Sequence, residues 1–490
     1  MFHVIVAKAE RYKNLINGQW EESSSEKTFG SINPANKEEV VGVFQASTKE
    51  DVKRAIESAD RAFESWAATA PSKRAAILDK AAQYLIDHAD QFAEELTREE
   101  GKPVNAARGE VIRSAQTLKY YAVEGQSHSG ETFPQDDPDM DVSTRLEPLG
   151  VISVITPWNF PLSIPARKIA PALITGNTVV FKPSSETPLV AYRLVEALVH
   201  GGLPQGVLNF VTGHSSDIGD SLVDHPAVKA VTFTGSTGAG ERIQRNVSFD
   251  TRTQMELGGK NPLIVMEDAD IELAAKLTVN GGFNLSGQAC TGTSRVIVMK
   301  EVKEKFLKAL LDKTKSLKMG SGFEEGVMIC PLASEKQLKN VLKYIDIGKQ
   351  EGASLLYGGE HVEEGDFSKG YYVSPTIFTD VTPSMRIAQE EIFGPVIAVI
   401  EASSYEEAVR IANGVEYGLS ASIVTTNLKT AQRFTRDIKA GTVKVNRTTT
   451  GNLMNAPFGG IKKSSTSTFR ESGRAGLDFF TQIKTVYVGY

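Results

Sequence analysis

The feature that most restricts this chain is an alternation. From residue 149 onward, short runs of β-branched and apolar residues, each closed by a turn signal, are separated by longer segments of helical character. GVISVITP ends at Pro157, NTVVFKPS runs into Pro183, VLNFVTG ends at Gly213 and AVKAVTFTGS runs into Gly235. Such runs read as buried parallel strands. Thr187 to His200, between the second and third, reads as a helix stopped by Gly201-Gly202. Strands separated by helices give βαβ units and a parallel sheet. The alternation returns after Met255 with LIVMED, RVIVM, PVIAVIEA and ASIVTTN. Two successive α/β blocks are therefore expected, with a boundary near residues 255–262. A chain of 490 residues has room for them, since one hydrophobic core stops growing near about 250–300 residues.

Ahead of the first block, Lys49 to Ala68 is an amphipathic helix, with Val52, Ala55, Ile56, Ala59, Phe63 and Trp66 at spacings of three and four. Ser72 to Glu100 reads the same way. Gly125 to Leu146 fits neither block: it is polar, interrupted by proline and loosely alternating. The chain ends in an alternating strand, Lys484 to Tyr490. An exposed terminal strand invites aggregation unless paired, so these two segments are expected to pair with each other and across a subunit boundary.

The net charge of −6 argues against nucleic-acid or anionic-membrane partners. Two cysteines, Cys290 and Cys330, rule out a disulfide framework and fit a reducing, cytoplasmic compartment. The apolar run Phe2 to Ala7 lacks a basic flank and is too short for a signal peptide. No stretch reaches about 18 uninterrupted apolar residues, so no membrane span is expected.

Within FNLSGQACTGTSR, Cys290 follows a run of small residues and precedes a strand. Backbone amides at such a turn can stabilise a thiolate and an oxyanion; the alternative is a buried structural cysteine. In QMELGGKNP, Glu256 lies between apolar residues at a strand end, ahead of Gly258-Gly259. A carboxylate there is costly unless paired or used as an acid or base; the alternative is a solvated rim residue.

Six segments taken together, GQACTGTSR, MELGGKNP, ITPWNFP, FKPSSETP, FTGSTGAG and EEIFGPV, resemble the aldehyde dehydrogenase superfamily in order and spacing, from about Asn14 to the C-terminus. The resemblance implies an α/β fold: a Rossmann-like cofactor domain (1–124 and 147–258), an α/β catalytic domain (259–446) and a small β oligomerisation element (125–146 and 470–490). It implies no metal, and a homodimer or homotetramer. By the same resemblance Cys290 attacks the aldehyde, Asn159 and the Cys290 N–H hold the oxyanion, a hydride leaves for the nicotinamide, and Glu256 activates the water that hydrolyses the thioester. Lys182 would hold the adenosine ribose, Gly235, Ser236 and Gly240 the pyrophosphate turn, Glu391 the nicotinamide ribose, and Trp158 and Phe393 would lie in the cofactor site.

One departure concerns the cofactor. NAD-preferring members carry a glutamate three residues after the lysine; here that position is Ser185, followed by Glu186. A serine tolerates a 2′-phosphate that a carboxylate repels, so NADP is expected to be preferred, with NAD also used. For the substrate, Arg167 is a fixed positive charge eight residues after Asn159 in an otherwise apolar helix, LSIPARKIAPAL. It is suited to a substrate carboxylate, and is otherwise an exposed helix arginine. Succinic semialdehyde dehydrogenases carry a further arginine six residues before the cysteine, where this chain has Asn284, which weakens that substrate and makes Asn284, with Arg167, a substrate-binding candidate able to hold a 2-oxo acid. Val445 to Gly473 resembles the α-ketoglutaric semialdehyde (2,5-dioxovalerate) dehydrogenases, more loosely. Succinic semialdehyde or another small aldehyde remains the alternative substrate. A non-catalytic member of the fold is the alternative class, and transfer of the thioester to coenzyme A the alternative fate.

Overall fold

The structure, a computed structural model, describes residues 9–490, so the apolar run Phe2 to Ala7 lies outside the described residues. Two seven-stranded sheets organise the chain. The first has the order Arg252–Glu256, Val228–Thr234, Val151–Ile155, Thr178–Lys182 and Leu208–Phe210, all parallel, then Asn14–Ile16 and Gln19–Glu21, antiparallel. The second has the order Ser354–Tyr357, Thr376–Thr379, Val396–Ala402, Thr293–Met299, Asn261–Val265, Ser420–Val424 and Thr442–Val445. It is parallel except at its Ser354–Tyr357 edge. Each sheet has separate apolar cores: Ile152, Val154, Val179 and Phe181 against Val151, Val180 and Val231 in the first, Ile264 and Ile297 against Leu263, Val296 and Val298 in the second.

The four expected strands of the first block are present, and Arg252–Glu256 is a fifth parallel strand, ending at Glu256 at the expected strand end although no apolar run marks its extent. Its RTQME sequence lacks an apolar run; its place comes from pairing residue for residue with Ala230 to Thr234. The first amphipathic helix spans Lys49–Ala67 and is closed at its start by a capping box between Thr48 and Asp51. Ser72 to Glu100 is not one helix but two, Pro71–Asp87 and Ala89–Glu100, broken at His88. The terminal strand Thr481–Gly489 pairs antiparallel with Met140–Pro148 along its whole length, from Thr481 opposite Pro148 to Gly489 opposite Met140, and Thr132–Phe133 adds a third strand. No helix among the described residues is long and apolar enough to cross a membrane.

Candidate active site

Chemistry collects where the first sheet's carboxyl ends meet the second sheet's amino ends. In the first sheet Thr234 lies opposite Glu256, Phe233 opposite Ile155 and Ile155 opposite Lys182. Four adjacent strands therefore stop level, and the segments beyond them carry Glu256, Gly235-Ser236, Trp158-Asn159 and Lys182. Ligands of open parallel sheets bind at such carboxyl ends. From the second sheet, Cys290 precedes Thr293–Met299, and Glu391 and Phe393 precede Val396–Ala402.

Cys290 stands between two cavities, one of about 460 Å³ and one of about 260 Å³, and lines both. Its loop has an unusual backbone: Leu285, Ser286 and Gly287 are left-handed in succession, with φ of 53°, 52° and 70°. Two of these are not glycine, so the surroundings must hold the turn. Ser286 Oγ accepts from the Cys330 N–H at 2.9 Å and donates to the Cys330 carbonyl at 2.6 Å. Gln288 Oε1 accepts from the Ala333 N–H at 2.9 Å. Asn261 Nδ2 donates to the carbonyls of Cys290 (2.8 Å) and Gly292 (2.9 Å). The second cysteine thus serves as an anchor through its backbone.

Asn159 is buried, and its Nδ2 donates to the Gln288 carbonyl at 3.0 Å. That bond uses one amide hydrogen and leaves the other for an oxyanion. A charge network lies beneath this loop. Lys102 Nζ donates at 2.7 Å both to the Asn159 carbonyl and to Glu110, whose other oxygen accepts from the Leu162 and Ser163 N–H groups at the start of helix Ser163–Ile174. Burial pushes the neighbouring Glu100 carboxyl up to about 8, with Lys102 pulling it back; Glu100 stands 3.7 Å from Lys102 Nζ, farther than Glu110. Lys102 and Glu110 are 1% and 4% exposed in their side chains, so neither charge can fall back on water. Removing one partner of a buried pair typically costs about 3–5 kcal/mol. Lys102→Met should therefore lower the urea midpoint strongly, and Lys102→Met combined with Glu110→Leu should recover part of the loss. Equal losses in the single and double variants would contradict this account of the pair.

Glu256 is buried, and neither of its oxygens has a hydrogen-bond partner. Burial, reinforced by the nearby Glu471, holds its carboxyl well above the usual carboxylate range. Burial likewise pushes the Cys290 thiol up to about 12; Arg167 pulls it down, and Glu391, Glu256 and Glu471 oppose that pull. Glu471 is paired with Lys168 Nζ, which also donates to Thr232 Oγ1 at 2.8 Å. Those cations keep Glu471 below the usual range despite its burial.

The 260 Å³ cavity brings together Trp158, Asn159, Gly235, Ser236, Glu391 and Phe393 beside Cys290. Ser236 caps helix Thr237–Asn246, so N–H groups and the positive end of the helix face the cavity, as a phosphate requires. Phe393 has φ of 58°, held by Gln337 donating to the Ile392 and Phe393 carbonyls at 3.1 and 2.7 Å. Its ring meets Trp158 edge-on at 5.3 Å. Glu391 accepts from the Gly259 N–H at 3.0 Å, and a Cβ on Gly258 would strike its carboxylate. Lys182 and Ser185 line neither cavity; Lys182 lies at the next strand end, pushed down to about 8 by burial, and donates to the Pro183 carbonyl at 2.8 Å. Gly240 lines a separate hollow, where a Cβ would come within 2.5 Å of Leu257. Helix packing therefore accounts for that glycine without a ligand.

The 460 Å³ cavity contains Arg167 and Asn284, the latter exposed at its mouth. The surroundings of Arg167 differ from the expectation. Its helix also carries the buried Lys168, and the Arg167 Nε stands 3.0 Å from Glu471 Oε2 as a charge contact without hydrogen-bond alignment. A resident carboxylate already answers the charge for which a visiting counter-ion was expected. Glu471 is some 300 residues distant in sequence, which is why the pairing is invisible there. A second arginine, Arg113, also lines this cavity from helix Val104–Glu124. Nothing in its local sequence separates it from an exposed helix arginine.

The comparisons with known proteins agree with this geometry. The family model described as aldehyde dehydrogenase family matches residues 20–486. The alpha-ketoglutaric semialdehyde dehydrogenase of Bacillus subtilis strain 168 is 47% identical over 485 residues, covering 99% of each chain. The 2,5-dioxopentanoate dehydrogenase of Saccharolobus solfataricus is 46% identical over 482 residues, covering 98% of this chain and 99% of that one. A betaine aldehyde dehydrogenase from Staphylococcus aureus, solved in complex with NAD+, matches with a TM-score of 0.95 at 36% identity, over 99% of this chain and 95% of that one. With a family match over nearly its whole length, and a cysteine held between two cavities at the meeting of two parallel sheets, this chain belongs to the aldehyde dehydrogenase family.

Proposed function

We propose that this chain oxidises a short aldehyde bearing a carboxylate to the corresponding acid, with α-ketoglutaric semialdehyde ahead of succinic semialdehyde. The observation that carries the reading is the larger cavity: it joins Cys290 to two arginines, while the carboxylates beside them are already engaged, Glu471 by Arg167 and Lys168 and Glu110 by Lys102. An anionic substrate completes that charge balance. The names of the two relatives above, 47% and 46% identical, support the same substrate.

In this reading the Cys290 sulfur forms a bond to the aldehyde carbon, and its proton passes to water or to Glu256. The free amide hydrogen of Asn159 and the Cys290 N–H stabilise the oxyanion of the thiohemiacetal; losing one such donor typically costs about 10²–10³ in rate. A nicotinamide bound in the smaller cavity would accept the hydride that the thiohemiacetal carbon gives up as its oxyanion collapses. Trp158, Gly235, Ser236, Glu391 and Phe393 would hold it there, and Lys182 and Ser185 would hold its adenosine end. Collapse of the oxyanion leaves a thioester on Cys290. Glu256, once ionised, takes a proton from water, which cleaves the thioester to acid and free thiol. The retained glutamate favours hydrolysis over transfer to coenzyme A.

The reading extends to organisation. Residues 1–124 and 147–258 form the cofactor domain, 259–446 the catalytic domain, and 125–146 with 470–490 an oligomerisation element of a cytoplasmic homodimer or homotetramer. The three-stranded sheet that leaves Ile483 and Tyr487 exposed supports the last of these.

The cofactor preference is NADP+ over NAD+, with both used. Ser185 is no carboxylate at the position where NAD-preferring members carry one, and Glu186 beside it has the Lys336 cation nearby. The experiment is a panel of aldehydes assayed with each cofactor on wild type and Ser185→Glu. The variant should lose at least about tenfold in kcat/KM for NADP+ relative to NAD+ through like-charge repulsion. A wild type strictly dependent on NAD+ would contradict the cofactor assignment, and a wild type indifferent to a carboxylate on the aldehyde would contradict the substrate assignment.

A further inference from the structure

The two arginines of the substrate cavity are not equivalent. Arg167 is answered by Glu471. Arg113 has no carboxylate within ion-pair reach among the described residues; its contacts are to Asn452, where Nη2 donates to the backbone carbonyl and, at 3.0 Å, to Oδ1. The nearby Glu110 is committed to Lys102 and to the two N–H groups that open helix Ser163–Ile174. Nη2 of Arg113 is engaged by Asn452, which leaves the Nε–H and the two Nη1 hydrogens without a protein partner, each able to donate singly to a carboxylate oxygen. Those donors belong to a half-buried side chain lining the cavity that reaches Cys290.

We infer that Arg113 is the group that receives the carboxylate of the substrate, with Asn452 beside it, and that Arg167 is a positioning residue that holds Glu471. This rests on the acid-aldehyde reading above and names the side chain responsible for it. Three observations favour Arg113 over Arg167. It is the unpaired guanidinium of the cavity. Burial and then the neighbouring Arg167 disfavour its charge, and Glu110 offsets them only in part, until an anion arrives. And it lies on a different helix from Arg167, so an aldehyde acid held at Arg113 need not take Arg167 away from Glu471. Asn452 adds selectivity: its side-chain oxygen is turned to Arg113, which leaves its amide hydrogens to donate to an oxygen adjoining the carboxylate, as in a 2-oxo acid.

The test compares kcat/KM for α-ketoglutaric semialdehyde and for pentanal, an uncharged aldehyde of the same chain length, on wild type, Arg113→Gln, Arg113→Lys and Arg167→Gln. The readout is the ratio of the two values, which a general loss of folded enzyme does not change. Arg113→Gln should lower the ratio by about 10- to 150-fold, the usual worth of a hydrogen bond to a charged group. Arg113→Lys, which keeps the charge and loses the spread of guanidinium donors, should fall between. Arg167→Gln should lower both values together and leave the ratio near that of wild type. A ratio well above one in wild type that survives Arg113→Gln and collapses in Arg167→Gln overturns this inference and leaves the acid-aldehyde reading standing. A wild-type ratio near one overturns that reading itself.

Discussion

Cys290→Ala should lower aldehyde oxidation by roughly 10⁴–10⁶-fold, the scale on which removing an enzyme's nucleophile acts, while cofactor binding survives. The thiol is the sole side chain of the 460 Å³ and 260 Å³ cavities that can bond covalently to an aldehyde carbon and later leave as a good leaving group. The loop that carries it is held by backbone and side-chain contacts of Ser286, Gln288 and Asn261, none of which involves the Cys290 sulfur. Alanine should therefore leave the loop in place. Titration of cofactor by quenching of protein fluorescence checks the second half of the prediction. Residual turnover within tenfold of wild type would contradict the assignment of Cys290. Cys330→Ala is the matched control: its contacts to Ser286 Oγ run mainly through its N–H and carbonyl, so activity should stay close to wild type.

Glu256→Gln should spare the first half of the reaction and stall the second. The expected trace is a burst of reduced cofactor of about one equivalent per active site, followed by turnover slower by about 10²–10⁴-fold, the usual contribution of a general base. The pH dependence carries the sign of the carboxyl's environment. Burial and Glu471 raise Glu256 above the ordinary carboxylate range, and only the ionised form takes a proton from water. In wild type, steady-state turnover should therefore keep rising with pH beyond the range where an ordinary glutamate has fully ionised, and that limb should vanish in Glu256→Gln. Loss of the burst together with turnover would mean that Glu256 is also needed to draw the proton from Cys290.

The parts of the site that the sequence made legible are those carried by short contiguous motifs. The strand runs ending at Thr156, Lys182 and Thr234 announce themselves by β-branched residues, and the turns beyond them hold Asn159, Ser185 and Ser236. What escaped notice is what depends on distant pairing. The break at His88 separates two helices whose apolar spacing continues across it. Arg167 looks like a lone charge on an apolar helix until Glu471 is brought against it from the far end of the chain. Arg113 and Glu110 look like ordinary solvated helix charges, and Lys102 like a solvated lysine in the turn before that helix, because burial is a property of the fold and has no local signature.

The central claim is that oxidation passes through a thioester on Cys290, and peptide-mapping mass spectrometry of Glu256→Gln tests it most directly. The variant is mixed with α-ketoglutaric semialdehyde and oxidised cofactor, quenched in acid during the burst, digested and mapped. The account predicts an adduct on the peptide containing Cys290, with a mass gain two hydrogens short of the aldehyde's own mass, because the hydride and the thiol proton have both left. It predicts that omitting the cofactor abolishes that species. An adduct on any other residue, or one on Cys290 that retains the aldehyde's full mass after reduced cofactor has appeared, would contradict it.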